Sequence, residues 1–495
     1  MASSFIHESF NSSVDFPTYI PWQTLSSDLS DKLKHGSLRL NRSNRIEYAT
    51  IHEEGERVPL SEVEHTGSIV TPAVRSGASW PVAAFLLVNA ALGAGVLNYP
   101  YAYHRAGGVY FAAFLQVLMV FLLISTMLVL AYCADLNYDN TYHDVLLSMC
   151  GRRAQQCAAL SILMTCFGIC ITFLIIIGDQ YDRFFASLFG SNYCEFWYLD
   201  RSFTIPATSI VFILPMCYFQ RLDFLRYAST LGIFAMLYPV FLTIYEYYKL
   251  EGPRGVINTY PQSAIEVFVV VPVICFAYQT HEIVVPVYAC MRNRNLADFT
   301  KATFLALGFL MVIYCMAGSF GYLTFGSYVA PDIMQQYDAT DPIVLIGVCA
   351  LVIKMITTYP PLLLCGRGAL DGLYAEFSGL TADEFISGEK RRRVIITSVW
   401  FIATVLLAVF TPNISVVIEL LGCLASINIF VFPGMCLVSL MLKEDPDMNE
   451  FRTRCLLTLA GVMIAFGSFI FGVVVIQVLM YDLQKGGEEH HQLCS

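Results

Sequence analysis

From Ser79 to Met480 the chain returns again and again to apolar runs of about 20 residues, the length a helix needs to cross roughly 30 Å of hydrocarbon. Runs such as FLLISTMLVL and GVVVIQVLM do not alternate in polarity, so they do not fit the strands of a membrane barrel. Composition agrees: 56% of residues are hydrophobic and 14% charged, against roughly 25% charged in soluble domains. The expectation is an all-α polytopic membrane protein with eleven transmembrane helices, near 79–101, 109–132, 156–178, 203–219, 226–247, 263–288, 302–324, 342–364, 394–411, 414–440 and 455–480.

The first 78 residues are polar, rich in Ser and Glu, and lack the charged start and apolar core of a signal peptide, so they read as a disordered cytosolic tail. Basic residues set the orientation, because basic loops stay cytosolic. With the N-terminus inside, the inner loops hold 15 Lys and Arg, and the outer loops with the C-terminal tail hold six. The N-terminus is therefore expected in the cytosol and the tail at 481–495 outside or in a lumen. EKRRR (Glu389–Arg393) is a topology anchor on this reading. The net charge of −10 lies mostly in tails and loops, and no basic domain points to nucleic acid.

Two runs carry helix breakers. LGAGVLNYP (Leu92–Pro100) holds two glycines and a proline, and PVICFAYQTHEIVVP (Pro272–Pro286) turns polar over Tyr278, Gln279, Thr280, His281 and Glu282. The second lies five spans after the first. An odd number of spans inverts the second unit relative to the first, and matched interruptions in inverted halves point to a transporter's binding site. Unwound backbone cannot face lipid and must line a cavity or be buried in protein. Half-helix N-termini there can meet a carboxylate, and freed carbonyls can hold a small cation. Small residues in the first run also suit close helix packing.

VNAALGAGVLNYP (Val88–Pro100), FLIIIGDQ (Phe173–Gln180), ICFAYQTHEIVVPVY (Ile274–Tyr288), TTYPPLLLCGR (Thr357–Arg367) and NIFVFPG (Asn428–Gly434) come in an order that resembles the sodium-coupled neutral amino acid transporters of the amino acid/auxin permease group, closest to its seventh and eighth members, which are associated with glutamine. The resemblance implies a leucine-transporter-like core: a first five-helix repeat over 79–248, an inverted second over 262–441, and an added eleventh helix at 453–480. It links Asn89 and Thr358 to sodium, and Thr357 joins them as a neighbouring hydroxyl. Both threonines can instead bond back to their own helix, and Asn89 can serve packing alone.

The expected substrate site comprises Gly93, Ala94 and Gly95, offering backbone to a carboxylate, with Tyr278, Gln279 and Thr280 reading a polar neutral amino acid. His281 is a coupling or gating candidate, with a structural role as the alternative. Asp179, Glu266 and Glu419 lie near outer span ends, where carboxylates reach water or serve a gate. Lys354 falls mid-span, where a lysine costs roughly 2.5–3.5 kcal/mol even on the lenient insertion scale. It precedes Thr358 by one turn and shares its face. An ammonium about 6 Å from sodium would repel it by about 3 kcal/mol at an effective dielectric near 20. Lys354 therefore either turns to another partner or replaces the coupling cation.

The expected function is secondary active transport of small neutral amino acids, glutamine or asparagine favoured, with sodium or a proton as the coupling ion and no other cofactor. An amino-acid-sensing receptor signalling through the N-terminal tail is the alternative. No CxxC, HExxH or helical HxxxH supports a metal site, no nucleophile constellation supports an enzyme, and most of the 16 cysteines fall inside apolar runs. Tyr48-Ala49-Thr50-Ile51 fits a sorting-adaptor pattern and tilts the location toward an endolysosomal membrane, with the plasma membrane as the alternative. The sequon at Asn413 hugs the bilayer.

Overall fold

The computed structural model describes residues 77–190, 196–218, 226–250, 255–261, 264–338, 340–379, 382–410, 414–443 and 450–478. The Tyr48–Ile51 pattern, Asn413, most of the N-terminal tail and all of the C-terminal one lie outside these residues, as does the side chain of Glu266.

Apolar runs become helices because a helix satisfies its own backbone in hydrocarbon. In chain order these are α1 (Trp80–Ala91), α2 (Gly95–Arg105), α3 (Val109–Asn137), α4 (Tyr142–Cys150), α5 (Arg152–Phe189), α6 (Arg201–Cys217), α7 (Arg226–Lys249), α8 (Ala264–Ala277), α9 (His281–Ala289), α10 (Leu296–Phe325), α11 (Pro342–Ser378), α12 (Ala382–Phe410), α13 (Ile414–Lys443) and α14 (Phe451–Gln477). Among the described residues nine spans are long and apolar enough to cross a membrane, one of them α8 and α9 together, and the bent pair α1–α2 makes ten. The fourth expected segment forms only the shorter α6, which contains a π turn at Ser209–Ile213.

Enclosure separates the helices by role. The window spanning α8 and α9 is 78% buried, whereas those of α12 and α14 are 33% and 28% buried and present Val399, Ile402, Phe469 and Ile476 outward. The interrupted helix therefore lies within protein, as unwound backbone requires, and α12 and α14 are the least buried of the long spans. The helix α5 packs along α11, α8 against α13, and α10 against both α1 and α2.

The amphipathic helix α4 occupies what the hydropathy pattern leaves as a loop. A capping box starts it: the Thr141 hydroxyl accepts from the Asp144 amide at 3.2 Å, and the Thr141 amide donates to Asp144 Oδ2 at 3.1 Å. Its far end is held to α13, where Lys443 Nζ donates to the Ser148 carbonyl at 2.6 Å.

Candidate functional site

At the first break, α1 ends at Ala91 and α2 leaves at 70° to it. The Leu92 amide still donates to the Val88 carbonyl, and the new helix begins with Val96 and Leu97 donating to the Gly93 and Ala94 carbonyls at 3.2 and 3.1 Å. The two glycines have different tasks. A Cβ on Gly95 would lie 2.8 Å from the Ala277 Cβ and 2.9 Å from its Cα, so this glycine is where the broken helices touch. A Cβ on Gly93 would meet nothing nearer than the Ala91 carbonyl at 3.9 Å, so Gly93 borders open space. Pro100 does not break α2. Its ring lies against α10, where a Cβ on Gly321 would come within 2.5 Å of it.

The second break begins one residue after Ala277. Tyr278 and Gln279 still donate to the Ile274 and Phe276 carbonyls, Thr280 swings to φ −143°, ψ 6°, and α9 opens with Ile283 donating to the Thr280 carbonyl at 3.0 Å. The two breaks meet at one side chain. The Tyr314 hydroxyl of α10 lies 2.9 Å from the Ala91 carbonyl and 2.9 Å from the Ala277 carbonyl, the last residues of the two leading half-helices. One hydroxyl proton is shared between two helix C-termini, whose partial negative charges converge there. The Tyr314 ring stacks on Tyr99, with centroids 4.7 Å apart, and meets Tyr278 edge-on at 5.1 Å.

Both halves of the first broken span are held at their far ends. Ala78, just before α1, pairs with Met291, just after α9: its amide donates to the Cys290 carbonyl and its carbonyl accepts from the Arg292 amide, both at 2.9 Å. At the opposite end Arg105 of α2 pairs with Glu419 of α13 at 2.8 Å, and Asn98 Nδ2 donates to the Pro331 carbonyl at 2.8 Å. Asp179 pairs there with Arg201 at 2.6 Å. Asp179 and Glu419 are thus buried and ion-paired and do not reach water, the first of the two roles that their position at span ends suggests.

The segment carrying Pro331 rests on α2 and α5 through the 3-10 turn Ile333–Gln336, which Asp332 caps by accepting from the Met334 amide at 2.9 Å. Asp332 is fully buried. Burial first, and then the nearby Asp179, push its carboxyl up to about 7.

Comparison with known proteins adds the decisive observation: residues 76–480 match the model of the family described as Transmembrane amino acid transporter protein. The chain belongs to that family. Three relatives are similar along most of their length. Sodium-coupled neutral amino acid transporter 7 of Danio rerio is 36% identical over 440 residues, covering 87% of this chain and 94% of the relative. The protein of the same name in Homo sapiens is 36% identical over 405 residues, covering 81% and 88%. Solute carrier family 38 member 8 of Homo sapiens is 32% identical over 415 residues, covering 79% and 91%. Among solved structures, MhsT in complex with L-phenylalanine is 13% identical with a TM-score of 0.49, covering 79% of this chain and 98% of that one.

This member of the transmembrane amino acid transporter family is thus a multi-pass membrane protein of amino acid transport, not an enzyme. The expected residues can be placed one by one. Gly93 borders open space, Ala94 is buried, and Gly95 packs on Ala277. Tyr278 is fully buried, its hydroxyl accepting from Gln116 Nε2 at 2.7 Å, while Gln116 Oε1 accepts from the Tyr103 hydroxyl at 2.8 Å. Gln279 donates to Glu282, and its Oε1 is buried without a hydrogen-bond partner among the described residues, as is the Thr280 hydroxyl. His281 lies with Nε2 2.9 Å from the Thr126 hydroxyl and Nδ1 without a partner among the described residues.

Asn89 is half-buried on α1, one turn before Gly93. On α11 the Thr357 hydroxyl donates back to the Ile353 and Lys354 carbonyls, and the Thr358 hydroxyl to Lys354 at 2.7 Å. A cation would therefore meet these threonines only through oxygen lone pairs. Lys354 is 5% exposed and lies along α7: a Cβ on Gly232 would fall 2.7 Å from its Nζ. Tyr314 and Gln116 join the site without an earlier signal, although a glutamine within an apolar span is itself a cue.

Proposed function

We propose that this chain is a secondary active transporter of small neutral amino acids, with glutamine and asparagine favoured, working by alternating access around the two breaks. The observation that carries the reading is the shared Tyr314 hydroxyl, which joins the last carbonyls of α1 and α8 and makes the two interruptions one locus. On this reading residues 79–248 and 262–441 are inverted five-helix repeats of a leucine-transporter-like core, and α14 is an eleventh helix outside them. Gly93 and Ala94 present backbone to the substrate carboxylate, while Gly95 keeps the two breaks in contact. Gln279 and Thr280, each with an oxygen lacking a partner among the described residues, read the polar side chain, and Tyr278 contributes its ring. His281 adjusts the gate.

Asn89, Thr357 and Thr358 form the sodium site, in keeping with the printed names of the relatives. Lys354 alters it. Its buried ammonium emerges one turn from Thr358, and no ion pair involves it among the described residues, so its charge weakens sodium binding and can stand in for the ion. The basic-loop count supports a cytosolic N-terminus and a luminal or extracellular C-terminus, in a lysosomal, endosomal or plasma membrane, with a sorting adaptor at Tyr48–Ile51. Glutamine uptake by the wild type and Lys354→Ala over a range of sodium concentration and pH tests the ion assignment. We expect weak sodium dependence in the wild type that steepens in the variant. Strict, saturable sodium dependence unchanged by the substitution contradicts it.

A further inference from the structure

Glu282 stands in the first turn of α9, where a carboxylate suits the positive end of the half-helix. Its Oε1 accepts from two neutral amides, Gln279 Nε2 in the same break and Asn428 Nδ2 at 3.2 Å from the π turn of α13. The second bond crosses from the broken helix to a different span. Asn428 is fully buried, its carbonyl accepts from the Tyr142 hydroxyl of α4 at 2.9 Å, and its Oδ1 has no partner among the described residues. An unpartnered buried oxygen beside a half-buried carboxylate marks a place where a hydrogen can be added.

No lysine or arginine pairs with Glu282 among the described residues. The groups able to carry charge on the elements around it are few. His281 is on its own helix, held by Thr126 of α3. Asp135 of α3 pairs with Arg294 beyond the far end of α9. The helix α4 brings Tyr142, His143, Asp144 and Cys150, with Asp144 engaged in the capping box, and α3 adds the buried Cys133. The thiols of Cys166 and Cys365 on α5 and α11 lie close enough to feel its charge. The segment α1 and the π turn of α13 carry no titratable side chain. A half-buried carboxylate with only neutral donors is incompletely compensated, which favours taking up a proton. Both amides turn N–H groups toward Oε1, an arrangement that repels a metal ion there but leaves Oε2 able to bind a proton.

We propose that Glu282 is the proton-binding site of the transport cycle: a proton taken from one aqueous face adds to Oε2, weakens the bond to Asn428, and leaves on the other face. The inference rests on the reading of the chain as a carrier, and it supplies a coupling ion where Lys354 disfavours sodium. It also ties charge to movement, because a neutral acid holds Asn428 less strongly than a carboxylate does.

The test uses the purified full-length protein in proteoliposomes with radiolabelled glutamine. Wild type is expected to accumulate glutamine under an imposed proton gradient without sodium. Glu282→Gln is expected to keep glutamine exchange and lose gradient-driven accumulation. Asn428→Ala removes a donor that favours the ionised form, so its half-maximal pH should shift upward. That shift decides the matter if Glu282→Gln does not fold. The proposal is overturned by Glu282→Gln accumulating like wild type, by wild-type accumulation indifferent to the gradient, or by an unshifted pH profile in Asn428→Ala. Absence of exchange in the wild type would instead remove the carrier reading itself.

Discussion

The glycines of the first break make opposite demands, and that difference is measurable. Gly95→Ala drives a methyl into the Ala277 backbone and should lower stability by about 1–3 kcal/mol, seen as a reduced thermal midpoint in detergent. Gly93→Ala meets open space and should leave that midpoint near wild type while reducing uptake, since the methyl occupies room proposed for the substrate. Equal destabilisation by both would contradict the assignment. Tyr314→Phe removes the one proton shared by two buried carbonyls and should cost about 1–3 kcal/mol, read by the same unfolding measurement. The glycines were legible because a helix breaker in an apolar run demands explanation. Tyr314 was not, since a tyrosine in a membrane helix is ordinary and its role arises only from two carbonyls brought in from elsewhere in the chain. Thr357 and Thr358 show the same limit, since composition cannot tell a hydroxyl that bonds its own helix from one that awaits an ion.

Elements were legible where hydropathy alone defines them, and less so at their ends. Each apolar run became a helix, and both interruptions fall within the segments that carried the glycines and the polar run. Among the described residues the sharp bend belongs to the first, while α8 and α9 count together as one span. The helix α4 was missed: its polar face hides it from a hydropathy scan, although Thr141 and Asp144 are spaced as a capping box. At the opposite end, the Arg105–Glu419 pair ties α2 to α13. Because Glu419 is buried, Arg105→Ala should be strongly destabilising, by about 3–5 kcal/mol if the charge stays uncompensated, and the exchanged pair Arg105→Glu with Glu419→Arg should recover part of that loss. Asp332 gives this end a pH dependence. With its carboxyl at about 7 when docked and an ordinary value of 3.8 when released, the docked turn holds a proton that the released one gives up between those values. Docking therefore weakens as pH rises from 3.8 to about 7 and changes little above. Hydrogen exchange over 329–337, corrected for intrinsic rate, should follow that window and lose it in Asp332→Asn.

At the scale of the whole molecule, the broken helices sit in enclosed surroundings while α12 and α14 face outward, and each end of the first broken span is tied to a different partner. Ala78 straps α1 to the chain after α9, and Arg105 straps α2 to α13. A carrier needs such ties to form and release in alternation around a fixed centre, and the family match makes amino acids the class of cargo. The membrane character and the interrupted spans could be read from hydropathy and helix breakers, because both are one-dimensional signals. The joining of the two breaks could not, because it depends on a third helix crossing them. The central claim is that this centre moves an amino acid across the bilayer instead of only binding it. Radiolabelled glutamine flux in proteoliposomes of the purified protein, under imposed sodium or proton gradients and with competition by other amino acids, tests it directly. Saturable, gradient-driven uptake inhibited by asparagine and other small neutral amino acids is the predicted result, and saturable binding of glutamine without flux would contradict it.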